Sequence, residues 1–224
     1  MKKGKKYRNI VKKIREKNSY SIKEALDFIV THPLANFDES VEVHIKLGID
    51  ATKGDQQVRG SVVFPNGTGK SKKIAVITLE QQNEVKKAGA DIVSGEELIE
   101  EIKKGKIDFD VLIASPEMMP KLASVAKILG PRGLMPNPKT GTVTNKIREA
   151  ISELKKGKEE FKNDKTGNVH QIIGKISFGA DKLKENYEVF IKALEKVKPK
   201  TLKNKYILGI SLCSTMGPSL KIKL

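Results

Sequence analysis

Two hydrophobic periodicities are nested in this chain, one enclosed by the other, and the nesting constrains its fold more than any single motif does. From about Lys73 to Lys158, short apolar runs alternate with stretches of helical spacing. Ile74 to Leu79, Ala90 to Val93 and Val111 to Ala114 read as strands, while Gln82 to Ala88, Glu96 to Lys104, Pro116 to Leu129 and Asn145 to Lys156 read as helices. Strand and helix in strict alternation mean βαβ units, a parallel sheet with helices on its faces.

The flanks follow another rule. Val41, Val43, Ile45, Leu47 and Ile49 alternate with Glu42, His44, Lys46 and Gly48, the period of a strand with one buried and one wet face. Ser21 followed by Glu24 predicts a capped helix through Ala25, Leu26 and Ile29. Leu183, Tyr187, Phe190, Ile191, Leu194 and Val197 predict a second amphipathic helix. Further strands are expected at Gln57 to Phe64, His170 to Ser177, Tyr206 to Leu212 and Leu220 to Leu224. Neither flank holds enough elements for its own core, so together they make one antiparallel unit. The expected fold is α/β and α+β in two domains: a discontinuous α+β domain from both chain ends (residues 1–67 and 159–224) and an inserted Rossmann-like, three-layer α/β/α domain (residues 68–158). The connections fall at Pro65-Asn66-Gly67-Thr68-Gly69 and Lys156-Gly157-Lys158, both turn-prone and suited to a hinge.

Charge points to a partner. Residues 1–17 carry nine Lys/Arg and one acid, residues 192–224 carry eight Lys and one acid, and the 174 residues between them contribute only about +1 of the total of +16. Like charges gathered this way repel one another unless a polyanion meets them, which makes nucleic acid the leading partner. Aromatic content of 5% with no Trp disfavours a stacking platform for single strands and favours recognition of shape and phosphate. Cys213 is the only cysteine, so an intramolecular disulfide and a multi-thiolate metal centre are excluded and a reducing, cytoplasmic setting is expected. No run approaches the roughly 18 apolar residues of a spanning helix, and Met1 to Lys17 lacks a signal peptide's apolar stretch.

Catalytic motifs are weak. Gly69-Lys70-Ser71 resembles the end of a phosphate-binding loop, but the first glycine of that motif falls at Phe64 and a strand follows. No dinucleotide fingerprint follows the first strand of the insert. His32, His44 and His170 are scattered, Cys213 reads as a buried structural thiol, and Glu96, Glu97, Glu100 and Glu101 read as a solvated helix face. No catalytic residue, metal or cofactor is expected, a nucleotide-dependent enzyme built on the insert being the competing reading. Two loops stand out. Leu129 to Gly141 packs three prolines, three glycines and two cations into thirteen residues, and Ser214 to Ser219 sets Met216 among hydroxyls and a glycine. In the second, Met216 either faces the core of a hairpin turn or is presented to a partner.

The run Met119 to Asn137, MPKLASVAKILGPRGLMPN, resembles the signature of the L-one family of large-subunit ribosomal proteins. Phe37-Asp38-Glu39-Ser40-Val41-Glu42-Val43, Asn163-Asp164-Lys165-Thr166-Gly167 and Thr215-Met216-Gly217-Pro218 resemble it too, in order along almost the whole chain and in the bacterial style. The resemblance implies a monomer within the cytoplasmic ribosome whose discontinuous domain binds the large-subunit rRNA of the mobile stalk. It also implies a part in releasing deacylated tRNA from the exit site, and repression of translation through the protein's own operon mRNA. The implied rRNA-binding residues are Phe37, Ser40, Glu42, His44, Lys46, Lys165, Thr166, Thr215, Met216 and Gly217, with secondary RNA contacts from Arg132 and Lys139. Ser40 departs from the Thr frequent in relatives, keeping the hydroxyl and losing a methyl. With the end at Leu224, contacts made by longer tails are not expected. An ionised Glu42 on such a face accepts hydrogen bonds from 2′-hydroxyls or base amino groups, and Lys46 on the same face supplies the counter-charge.

Overall fold

The basic run at the start of the chain is a helix. Tyr7, Ile10, Val11 and Ile14 recur at three-and-four spacing and are half-buried, while Lys5, Lys6, Arg8, Lys12 and Lys13 stay in solvent. A computed structural model describes residues 4–15, 17–78, 85, 88–202 and 204–224, without the side chains of Arg15 and Lys139. Most of the helix expected over Gln82 to Ala88 lies outside these residues.

In chain order the regular elements are α1 (Lys5–Arg15), α2 (Ile22–Thr31), β1 (Ser40–Leu47), β2 (Arg59–Val63), β3 (Ile74–Ile77), β4 (Ile92–Ser94), α3 (Glu97–Lys103) and β5 (Val111–Ala114). There follow α4 (Met119–Leu122), α5 (Ala126–Leu129), α6 (Ile147–Lys155), β6 (Lys158–Lys162), β7 (Asn168–Lys175), α7 (Ala180–Lys196), β8 (Ile207–Ser214) and β9 (Leu220–Ile222). The chain folds into two compact units, one formed by residues 1–69 with 159–224 and the other by residues 70–158.

The first unit is built on an antiparallel sheet in the order β7-β1-β8-β9, with β2 and β6 paired separately. α2 opens as its sequence predicts: the Ser21 hydroxyl accepts from the Glu24 N–H and the Glu24 carboxylate accepts from the Ser21 N–H. The inward residues of β1, Val41, Val43, Ile45 and Leu47, are buried with Ala25, Leu26 and Ile29 of α2 and Leu183, Phe190 and Leu194 of α7. Each such Val, Leu, Ile or Phe side chain stabilises the fold by about 1.5–3 kcal/mol relative to an exposed one. Along the other face Glu42, His44 and Lys46 alternate with these and are half-buried or exposed.

Both connections are structured. Lys156 and Gly157 form a turn, as expected, and it leads directly into β6 at Lys158, where only Phe161 of the five strand residues is buried. The Pro65–Gly69 connection is held: buried Asn186 on α7 accepts from the Asn66 N–H and donates to the Gly67 and Ile173 carbonyls.

The second unit is a three-stranded parallel sheet in the order β4-β3-β5. Every residue of β3 is buried because both faces are covered. Ala75, Ile77, Leu112 and Ala114 pack with Leu98 and Ile102 of α3 and with Leu122 and Leu129, while Ile74, Val76 and Ile113 pack with Ala150 and Ile151 of α6. The helix expected over Pro116 to Leu129 is broken into short turns, with Pro120 in the first turn of α4 and a non-helical φ of −108° at Val125.

Candidate nucleic-acid interface

One acidic residue ties together the two loops at the Ser40 end of β1. Glu39 is fully buried, and its Oε1 accepts from the backbone N–H groups of Leu34 at 2.8 Å and Ala35 at 2.7 Å, while Oε2 accepts from Met216 N–H at 3.1 Å. Burial alone would push this carboxyl up; hydrogen bonds from the Ser214 side chain and from the Ala35, Met216 and Leu34 backbones outweigh it and hold it below the usual range. The loops are also laced directly, with Thr215 N–H donating to the Ser40 carbonyl at 3.0 Å and Ser40 N–H to Thr215 Oγ1 at 3.0 Å. A side chain at Gly217 would displace the Ser214 hydroxyl, since its Cβ would stand 2.5 Å from Ser214 Oγ.

What these bonds fix in place is apolar and exposed. Phe37 and Met216 are 57% and 56% exposed, although large apolar side chains are ordinarily inside. They share a groove of about 380 Å³ with Gly4, Lys6, Tyr7, Leu34 and Ala35, so α1 forms its far wall. Met216 therefore does not face the core.

From that end the open face runs along the sheet. Register sets Glu42 between Ile172 and Cys213, His44 between His170 and Ser211, and Lys46 between Asn168 and Gly209. Ser211 pairs in turn with Lys221 of β9. A depression of about 260 Å³ is lined by His44, Lys46, Asn168, Ser211 and Lys221 among others. At the far end Lys46 Nζ donates to the Thr166 carbonyl, joining the strand to the turn over residues 164–167. Asp164 organises that turn by accepting from the N–H groups of Thr166 and Asn168, at 2.9 and 2.7 Å, and from the Thr166 hydroxyl. The Asn168 N–H is the strongest of the bonds that hold its carboxyl well below the usual range. Gly167 makes the turn possible with a φ of 76°.

The structure thus assembles most of the residues expected from sequence on one face of the first unit: Phe37, Thr215, Met216 and Gly217 at one end, Glu42 and His44 in the middle, Lys46, Lys165 and Thr166 at the other. Ser40 is buried, and its contribution runs through its backbone bonds to Thr215. Arg132 and Lys139 belong to the other unit, where Arg132 is exposed and the Lys139 side chain lies outside the described ones. The terminal charge is less focused than its position in the sequence suggests. Lys192 and Lys196 sit on the outer side of α7, which packs on the buried face, whereas Lys221 shares the open face.

Three features were missed from sequence. Glu39 and Asp164 arrange the loops instead of being presented by them; an acid two residues before Thr166, at a turn ending in glycine, is the recognisable signal for the second. Cys213 is half-buried on the open face, not sealed in the core, with its Sγ 3.1 Å from His44 Nε2. Burial, with Glu42 adding to it, pushes this thiol up to about 11. His44 is pushed down by burial and by His170, with Glu42 opposing, so its ring is neutral at neutral pH.

The site is therefore an open antiparallel sheet face with apolar side chains fixed at one end and cations along it. The chain belongs to the Ribosomal protein L1p/L10e family, whose model matches residues 29–218. It is 48% identical over 221 residues to large ribosomal subunit protein uL1 of Mycoplasma capricolum, covering 98% of each chain. It is 50% identical over 206 residues to the protein of that name from Mesoplasma florum, covering 92% of this chain and 91% of that one, and 48% identical over 222 residues to that of Kosmotoga olearia, covering 99% and 96%. The competing enzyme reading falls: the family is one of ribosomal proteins, and strand β3, not a helix, follows Gly69-Lys70-Ser71.

Proposed function

We propose that this protein, a constituent of the large ribosomal subunit in the cytoplasm, binds the rRNA of the mobile stalk through the open face of its first unit. The observation that carries the reading is the pair of exposed apolar side chains, Phe37 and Met216, held at the edge of that face by a buried carboxylate. Phe37 and Met216 cover sugar and base surfaces in a shallow groove, Glu42 accepts from 2′-hydroxyls or amino groups, and Lys46, Lys165 and Lys221 meet phosphates. The tight 164–167 turn offers backbone groups at close range. Arg132 and Lys139 add weaker contacts from the inserted unit.

Two wider roles follow from that reading. A protein holding the stalk takes part in releasing deacylated tRNA from the exit site. The same face, meeting a similar fold in the protein's own operon mRNA, represses its translation.

Filter binding of a stalk rRNA fragment and of an unrelated hairpin of equal length, across a salt series, tests the first claim. Counterion release gives a slope of roughly −0.7 to −0.9 per neutralised phosphate, so several contacts appear as a slope of several units. Equal affinity for both RNAs, or a slope near zero, defeats the reading. Adding the protein to a cell-free translation of its own messenger should lower the yield, and Met216→Asp should restore it.

A further inference from the structure

Glu42, His44, His170 and Cys213 are far apart in sequence, yet the sheet stands them together on its open face. Glu42 and His44 are two residues apart on β1 and so point to the same side. Cys213 is the cross-strand partner of Glu42 on β8, and His170 is the partner of His44 on β7. Side chains in such pairs are close enough to share a ligand.

We propose that Glu42, His44 and Cys213 form a binding site for one zinc-like divalent cation, with His170 as the residue that positions His44. One carboxylate oxygen, one imidazole nitrogen and the sulfur lie within 4.8 Å of one another. His44 Nε2 is 3.1 Å from Cys213 Sγ and 3.9 Å from Glu42 Oε2. Tetrahedral zinc with bonds of about 2.0–2.3 Å sets its donors roughly 3.4–3.7 Å apart, so small side-chain adjustments bring all three onto one ion. A mixed N, S and O set suits zinc and its borderline-soft neighbours; calcium and magnesium take oxygen ligands.

His170 supplies the second feature of such sites. Its Nδ1 stands 2.8 Å from His44 Nδ1, on the side of the ring away from Cys213. With the proton on His44 Nδ1 donated to His170, His44 Nε2 is left bare and aimed at the thiol. Metal-bound histidines are held this way by a partner on the second nitrogen. Binding displaces the thiol proton, converting Cys213 to thiolate, and leaves a fourth position for water or an incoming oxygen. The same residues read without a cation form a closed set of polar contacts, and the two readings differ in what the thiol does when metal is added.

Cys213 is the only cysteine, so thiolate signals from the untagged protein report this position alone. Titration of metal-free protein with Co2+ should give a thiolate-to-cobalt charge-transfer band that saturates at one equivalent and is bleached by Zn2+. Zn2+ should also slow alkylation of Cys213 in the wild-type protein at least tenfold, a readout that needs no variant. Calorimetry should show Zn2+ affinity falling at least tenfold in Cys213→Ser and in His44→Gln, and roughly tenfold to a hundredfold in His170→Gln, whose ligands are intact. Far-ultraviolet circular dichroism confirms that each variant is folded. Cobalt binding without the sulfur band, alkylation indifferent to Zn2+, or equal Zn2+ affinity in wild type and Cys213→Ser overturns the proposal.

Discussion

The two larger sheets of this protein use their faces differently. In the second unit, β3 is buried on both sides, and among the described residues it is loops and helix exteriors that are left for other work. In the first unit, the sheet spends one face on α2 and α7 and keeps the other in solvent, where Glu42, His44, Lys46, His170, Ser211, Cys213 and Lys221 stand in register. A parallel sheet with crossover helices closes over itself, whereas an antiparallel sheet folds with one face uncovered. Recognition by a sheet surface is therefore open to the first unit and closed to the second.

The sharpest way to break this contrast is Met216→Asp. A charge in place of an exposed apolar anchor should weaken stalk-rRNA binding by roughly thirtyfold or more, about 2 kcal/mol. The melting temperature should stay within a degree or two, because the side chain adds little to the core. An unfolded variant, or one binding at full strength, would remove the open face from its central place.

Glu39→Ala separates presentation from contact. Leaving the Leu34, Ala35 and Met216 N–H groups without their acceptor should cost about 2–4 kcal/mol in urea denaturation, and RNA affinity should fall with it. Glu39→Gln adds a pH signature. The folded-state carboxyl is lowered from its ordinary value of 4.5, so its contribution is complete above that pH and is lost as pH falls through the lowered value. The stability gap between wild type and Glu39→Gln should be widest above about pH 5 and narrow in acid; a gap that is flat with pH would mean that Glu39 acts only through shape.

Excising residues 70–158 tests the other arm. The two ends of the cut lie close, with Thr68 Oγ1 donating to Glu159 Oε1 at 3.3 Å, so a short Gly/Ser linker closes the gap at little entropic cost. The miniature should give the circular dichroism of a folded α+β protein and bind stalk rRNA within roughly tenfold of the full chain. A folded miniature without specific binding would move recognition into the inserted unit. The smallest effect is expected for Arg132→Ala, no more than about threefold in affinity by filter binding, as suits a solvent-exposed charge; a larger loss would make the second unit an equal partner.

Much of this could be read before any coordinates. The alternation around β1 gave its buried and open faces residue by residue, and Ser21 with Glu24 gave the start of α2. Charge hid the rest. In α1 the cations overwhelm an apolar stripe of only Tyr7, Ile10, Val11 and Ile14, and in β6 a single inward Phe161 leaves no period to detect, so pairing with β2 decides the strand. The residues proposed for the interface came from resemblance, and the side chains that support them did not. Glu39 acts through a hydrogen bond to the Met216 backbone, distant in sequence, which leaves no compositional trace, whereas Asp164 bonds locally and its place two residues before Thr166 was a signal that could have been read. The meeting of His44 with His170 and Cys213 spans separations of 126 and 169 residues, and only strand order reveals it.

The placement of β1 also governs when the protein becomes competent during its own synthesis. Ser40 is bonded to Thr215 across 175 residues of chain, and at about 5–20 residues per second β1 waits roughly 10 to 35 s for β8 to be made. Through that interval Met216 has not met Glu39, so a growing or truncated chain carries Phe37 without its counterpart. The two ends of the open face are thus completed only when nearly the whole chain has been made.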